Sequence, residues 1–134
     1  MARMIFVNLP VADLPRARGF YEALGFTINE QFSDETGACV VISDTIYAML
    51  LTHPKYAQFT PLPITDEAKS SSHLLALSFD DRAGVDAFAA AALASGGSEP
   101  RPVQDLGFMY SRAISDPDGH TWEPFFMDMT AVPS

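Results

Sequence analysis

The chain has 134 residues, 48% hydrophobic and 19% charged, enough for one globular domain with a real core. Eight Lys and Arg stand against seventeen Asp and Glu, a net charge of −9 with no basic stripe, so a nucleic-acid partner is not expected. No apolar run approaches the roughly 18 residues of a membrane span. "MARMIFVNLP" lacks the apolar stretch and cleavage site of a secretory signal, and the single Cys39 excludes an internal disulfide, so the expectation is a cytoplasmic protein without a membrane partner.

In chain order, "RMIFVNLPV" (3–11) reads as a strand rich in β-branched and aromatic residues. "DLPRARGFYEALG" (13–25) follows as a helix: Asp13 can cap it, Pro15 sits in its first turn and Gly25 stops it. Leu14, Ala17, Phe20, Tyr21 and Leu24 make its apolar face. Strands are predicted at 26–32, 38–43 and 46–52, the last two joined by a hairpin-length connection at Asp44 and Thr45. The segment 53–72 is too long and irregular for a plain connection; Tyr56 and Phe59 predict that its first half packs against something, and Ser70–Ser72 read as flexible.

The same order then repeats. "HLLALSF" (73–79) is a strand, Asp80 or Asp81 a cap, and "GVDAFAAAALAS" (84–95) a helix stopped by Gly96 and Gly97. "FMYSRAIS" (108–115), a turn at "DPDG" and "HTWEPFFM" (120–127) complete it. Asp13 aligns with Asp81 and Phe20 with Phe88, so a βαβββ unit is written twice, as module one (1–52), a linker (53–72) and module two (73–130) of one 1–134 domain.

Two such modules, with "VADLPRARGFYEALGF" opening the first and "DPDGHTWE" closing the second, resemble the vicinal oxygen chelate superfamily of glyoxalases, bleomycin-resistance proteins and dioxygenases. "MIFVNLPV", "FSDETGACVV", "MLLTH" and "DGHTWE" are similar to its predicted lactoylglutathione lyase subgroup. The resemblance implies an α+β fold with a cupped mixed β-sheet, helices outside and a homodimer. In metal-dependent members four inward side chains hold a divalent cation, and the matching positions here are Phe6, Leu50, Leu74 and Glu123. Three of these carry no donor, so no metal or other cofactor is expected. A His73–Asn8–Glu123 set would require a bulge or slip at residue 73, because neighbouring strand residues face opposite ways. His53 and His120 are expected to be solvated.

Glu123 interrupts an aromatic strand just past the turn. With a four-residue loop at Asp116–Gly119, Arg112 falls directly opposite Glu123 and Tyr110 opposite Phe125. Glu123 is then half of a structural ion pair, a polar anchor for a small ligand, or a catalytic general base. Cys39 and Tyr21 read as core, Asp116 and Asp118 as turn residues, and the methionines at 4, 49, 109, 127 and 129 as strand filling that also softens a cup. The preferred reading is a glyoxalase/bleomycin-resistance-like protein binding a small organic ligand through Phe6, Asn8, Leu50, Leu74, Tyr110, Arg112, Glu123 and Phe125. The alternative is a metal-dependent lyase or isomerase of the lactoylglutathione lyase type.

Overall fold

Capping and apolar spacing start the first helix where the sequence places it. In the computed structural model, which describes residues 2–130, the Asp13 carboxylate accepts a hydrogen bond from the Arg16 backbone N–H at 3.0 Å. Residues 1 and 131–134 of the expected domain lie outside the described residues. The chain divides into two compact units, Met1–Asp66 and Glu67–Ser134.

The first unit runs β1 (Ile5–Val11), α1 (Leu14–Ala23), β2 (Thr27–Asp34), β3 (Gly37–Val41), β4 (Ile46–Thr52) and a short α2 (His53–Tyr56). Its sheet has the order β1-β4-β3-β2, with β1 parallel to β4 and the other pairs antiparallel. Alternation sends Leu9, Val11, Ala38, Val40, Ala48 and Leu50 to one face, each at most 1% exposed, where Leu14, Ala17, Phe20 and Tyr21 of α1 complete the core. Burial of a residue such as Leu9 stabilises by about 1.5–3 kcal/mol. The expected packing of the following segment is divided: α2 lies on β1 and β4, whereas Phe59 is 67% exposed, beneath the Lys55 ammonium.

The second unit runs β5 (Leu75–Ser78), α3 (Arg82–Ala94), β6 (Gln104–Asp105), β7 (Met109–Ser111), β8 (Ile114–Ser115) and β9 (Thr121–Met127). The sheet order is β5-β9-β7-β6, with β8 also on β9 and β5 parallel to β9. Asp81 caps α3 through the Gly84 N–H at 2.7 Å, so the helix begins two residues before the apolar run that marked it. Val85, Phe88, Ala89 and Ala92 of α3 are buried, as are Ile114, Trp122 and Pro124 of the sheet. The strand expected over 108–115 is two pieces, broken at Arg112–Ala113, although the Arg112 N–H still donates to the Pro124 carbonyl at 3.1 Å. The molecule is therefore α+β, two βαβββ units with mixed sheets. Among the described residues no helix is long and apolar enough to cross a membrane.

Candidate functional site

Asp116–His120 is a five-residue turn, one residue longer than "DPDG" alone implies. The Asp116 carboxylate accepts from the N–H groups of Asp118 and His120, both at 2.9 Å, and the Asp116 N–H donates to the His120 carbonyl at 2.8 Å. Ser115 therefore pairs with Thr121 and Ile114 with Trp122. Because side chains alternate, this single step exchanges the two faces of one strand relative to the other.

The consequence for Glu123 is a change of partner. Tyr110 pairs with Phe126 and Ser111 with Phe125, so the expected Arg112–Glu123 and Tyr110–Phe125 pairs do not form. Tyr110 and Arg112 turn instead to the side of α3. Arg112 grips Glu99 with two hydrogen bonds of 2.9 and 3.0 Å and Asp86 with a third of 3.1 Å. The Tyr110 hydroxyl donates to Asp86 at 2.6 Å, and the Arg82 guanidinium lies 4.8 Å from the Tyr110 ring centroid while pairing with Asp105. The Arg112 fork holds the Glu99 carboxyl below its ordinary range, the Tyr110 hydroxyl does the same for Asp86, and Arg82 lowers Asp105 to about 2.

On the face away from α3, Glu123 meets Arg101. The guanidinium Nη2 is 3.1 Å from Glu123 Oε2 and 3.1 Å from the Ser111 hydroxyl, and Nη1 donates to the Pro102 carbonyl. Glu123 Oε1 accepts no hydrogen bond from the described residues, and the side chain is 24% exposed. Phe125 is the next residue on that face, with Ala76 beside Glu123 in register. Arg101 was not among the residues read from the sequence. It sits in the irregular stretch "SEPRPVQD", 22 residues before Glu123, where neither period nor cap marks its direction. The one available signal was chemical: a carboxylate in an apolar strand needs a cation, and the chain has only eight.

In the first unit the register settles the remaining positions. Phe6 pairs with Tyr47 and Asn8 with Met49, all on the face away from α1, whereas Leu50 pairs with Leu9 on the helix side and is fully buried. Leu50 is thus core, and Met49 holds the place it was expected to take. Phe6 stacks on Tyr47 at 4.5 Å between centroids and is 46% exposed; Asn8 is exposed beside it. Cys39 shares this face but is 2% exposed, and burial pushes its thiol up, as for a small core hydrophobe.

Taken unit by unit, these positions do not suit a divalent cation. The first unit offers an aromatic ring and a soft, weak thioether at Met49. The second offers exposed Leu74 and a Glu123 carboxylate already engaged by Arg101. His73 does not join Glu123: its ring stacks on His120 at 6.1 Å, and its Nδ1 lies 2.9 Å from the Ser72 hydroxyl. His120, expected to be solvated, is 2% exposed, enclosed by its own tight turn and the His73 ring. His53 is exposed as expected. Among the described residues no group of three or more His, Cys, Asp or Glu is placed to hold a metal.

Comparison with known proteins agrees with this architecture. Residues 3–43 match the family model for bleomycin resistance protein-like N-terminal regions. The fold is similar to a hypothetical protein from S. aureus (21% identity, 94% of each chain, TM-score 0.79). It is similar to a glyoxalase/bleomycin resistance protein/dioxygenase family enzyme from Burkholderia phytofirmans (19% identity, 94% of this chain and 99% of that one, TM-score 0.77). It is also similar to a bleomycin resistance determinant encoded on transposon Tn5 (22% identity, 96% and 100%, TM-score 0.66). No curated protein matches. The fold is shared with glyoxalase/bleomycin resistance proteins of the vicinal oxygen chelate superfamily.

Proposed function

We propose that this chain, built on the vicinal oxygen chelate fold, binds a small organic molecule without a metal, using the open face of its second sheet as the polar anchor. The observation that carries the reading is the Arg101–Glu123 pair. A guanidinium occupies one oxygen of the carboxylate at the position that carries a ligand in metal-dependent relatives, and leaves the other oxygen able to accept. Ser111 orients the guanidinium and Phe125 supplies adjacent apolar surface. A few fixed polar groups among apolar neighbours is the usual composition of a small-molecule site. On its own sheet, the stacked Phe6–Tyr47 pair with Asn8 and Met49 offers a second surface of this kind. A similarity to a bleomycin resistance determinant is consistent with ligand binding.

Glu123 as a general base and the chain as a homodimer belong to the same proposal, the first contingent on a ligand that reaches Oε1. A metal-dependent lyase would need at least two further donors, which the apolar positions do not supply. The test is elemental analysis of chelator-free protein with Ni²⁺, Zn²⁺ and Mn²⁺ titration, then a thermal-shift screen of small organic molecules. No stoichiometric metal, and a hit lost in both Glu123→Gln and Arg101→Leu, supports the proposal. Stoichiometric metal binding abolished by Glu123→Gln overturns it. Sedimentation equilibrium checks the dimer.

A further inference from the structure

The first unit carries a groove that none of this explains. It holds about 530 Å³ and is lined by Leu14, Pro15, Arg18, Gly19 and Glu22 of α1, by Asp34 at the end of β2 and by Glu35 of the turn that follows. Pro15, Arg18, Gly19 and Glu22 follow the i, i+3, i+4, i+7 spacing of a single helix stripe, turned away from the buried stripe of Ala17, Phe20 and Tyr21. No residue of the open sheet face, Phe6, Asn8, Tyr47 or Met49, takes part.

Gly19 is the anomaly in this groove. It lies inside α1, has no positive φ, and a Cβ built on it meets nothing within 4 Å. Alanine would fit, and glycine at such a position costs about 1 kcal/mol of helix stability relative to alanine. Folding therefore gives no reason for it. A bare backbone does allow close approach of another molecule.

The rim supplies the sign of that molecule's charge. The Arg18 guanidinium is taken up by Glu30, whereas Glu22 and Glu35 form no ion pair among the described residues. Asp34 is held in place by the Thr36 hydroxyl and by the N–H groups of Thr36 and Gly37. The charge of Lys55 also favours the ionised form of Asp34. Three acidic residues thus share the lining with Leu14, Pro15 and bare helix. A volume of this size is that of a small-molecule site.

We propose that this groove binds a lipophilic organic cation, a quaternary ammonium or phosphonium, with its apolar body over Gly19 and its charge toward Glu22, Asp34 and Glu35. The site is independent of the sheet-face site and does not rest on it. Because a Cβ at 19 is sterically free, the groove can be filled without disturbing the fold.

The experiment is an NMR titration of the full chain with tetraphenylphosphonium, set against tetraphenylborate, an anion of the same shape. Expected are amide shifts confined to residues 14–22 and 34–35, with much weaker binding of the anion. Gly19→Leu is expected to keep or raise the melting temperature and to weaken phosphonium binding by about tenfold or more. Glu22→Gln with Glu35→Gln is expected to weaken it by about fivefold, as for two exposed charge contacts, and Asp44→Asn with Asp80→Asn, equal in net charge, to leave it unchanged. No binding, shifts located on either open sheet face, indifference to both Gly19→Leu and the milder Gly19→Ala, or equal loss in the two charge-neutralised variants would each overturn the proposal.

Discussion

Glu123 shows how much a single residue's meaning depends on one turn. From the sequence, its partner is Arg112; in the structure it is Arg101, and Arg112 serves Glu99 and Asp86 on the other side of the strand. Double-mutant cycles distinguish the two. Coupling of about 0.5–1 kcal/mol is expected between Glu123→Gln and Arg101→Leu, and none between Glu123→Gln and Arg112→Leu. Chemical denaturation of the four variants measures it; coupling to Arg112 alone would restore the four-residue turn. Gly119 belongs to the same turn. Its φ is +91°, and a Cβ there would lie 2.7 Å from the Ala68 nitrogen and 2.8 Å from the Glu67 carbonyl carbon. Gly119→Ala is therefore expected to cost about 2 kcal/mol or more, since left-handed strain and a backbone clash add. A loss below about 0.5 kcal/mol, the range of an innocuous surface change, would show that the Glu67–Ala68 backbone does not approach so closely.

At the scale of elements, the strands and helices were legible because their signals are local. Asp13 and Asp81 start helices through their own side chains, and apolar residues at helical spacing need only one buried face to be recognised. Which face of a strand is buried is another matter. Leu50 and Met49 are adjacent and both apolar, and nothing in "IYAMLLT" separates them. The pairing of β4 with β1 does: Leu50 goes to the helix side at 0% exposure and Met49 to the open side. Leu50→Ala is expected to cost about 3–5 kcal/mol in thermal or urea unfolding, and Met49→Ala about 1 kcal/mol. Equal losses would contradict the register. Candidate ligand residues follow the same division. Phe6, Asn8, Glu123 and Phe125 stay on open faces, while Leu50, Tyr110 and Arg112 do not.

For the molecule as a whole, charge makes one general prediction. Asp105, Asp86 and Glu99 have folded pKa values below their unfolded ones, Asp105 at about 2, because Arg82, the Tyr110 hydroxyl and Arg112 favour their ionised forms. Their stabilisation is present above the unfolded carboxylate range and is lost as pH falls through the lowered values. The melting temperature should fall as pH drops from about 5 toward 2, and less steeply in Arg112→Leu, which removes the cation for Asp86 and Glu99. Parallel curves for the two proteins would sink this account. The amino-acid sequence alone determined the two βαβββ units, their caps and the apolar faces of their helices, all properties of neighbouring residues or of residue type. Only the tertiary structure decided which strand faces are open, that Arg101 rather than Arg112 meets Glu123, and that Gly19 floors an acid-rimmed groove. Those depend on pairing register and on contacts between residues far apart in the chain. A turn longer by one residue is a small local difference, yet it reverses every side chain across the ladder it closes.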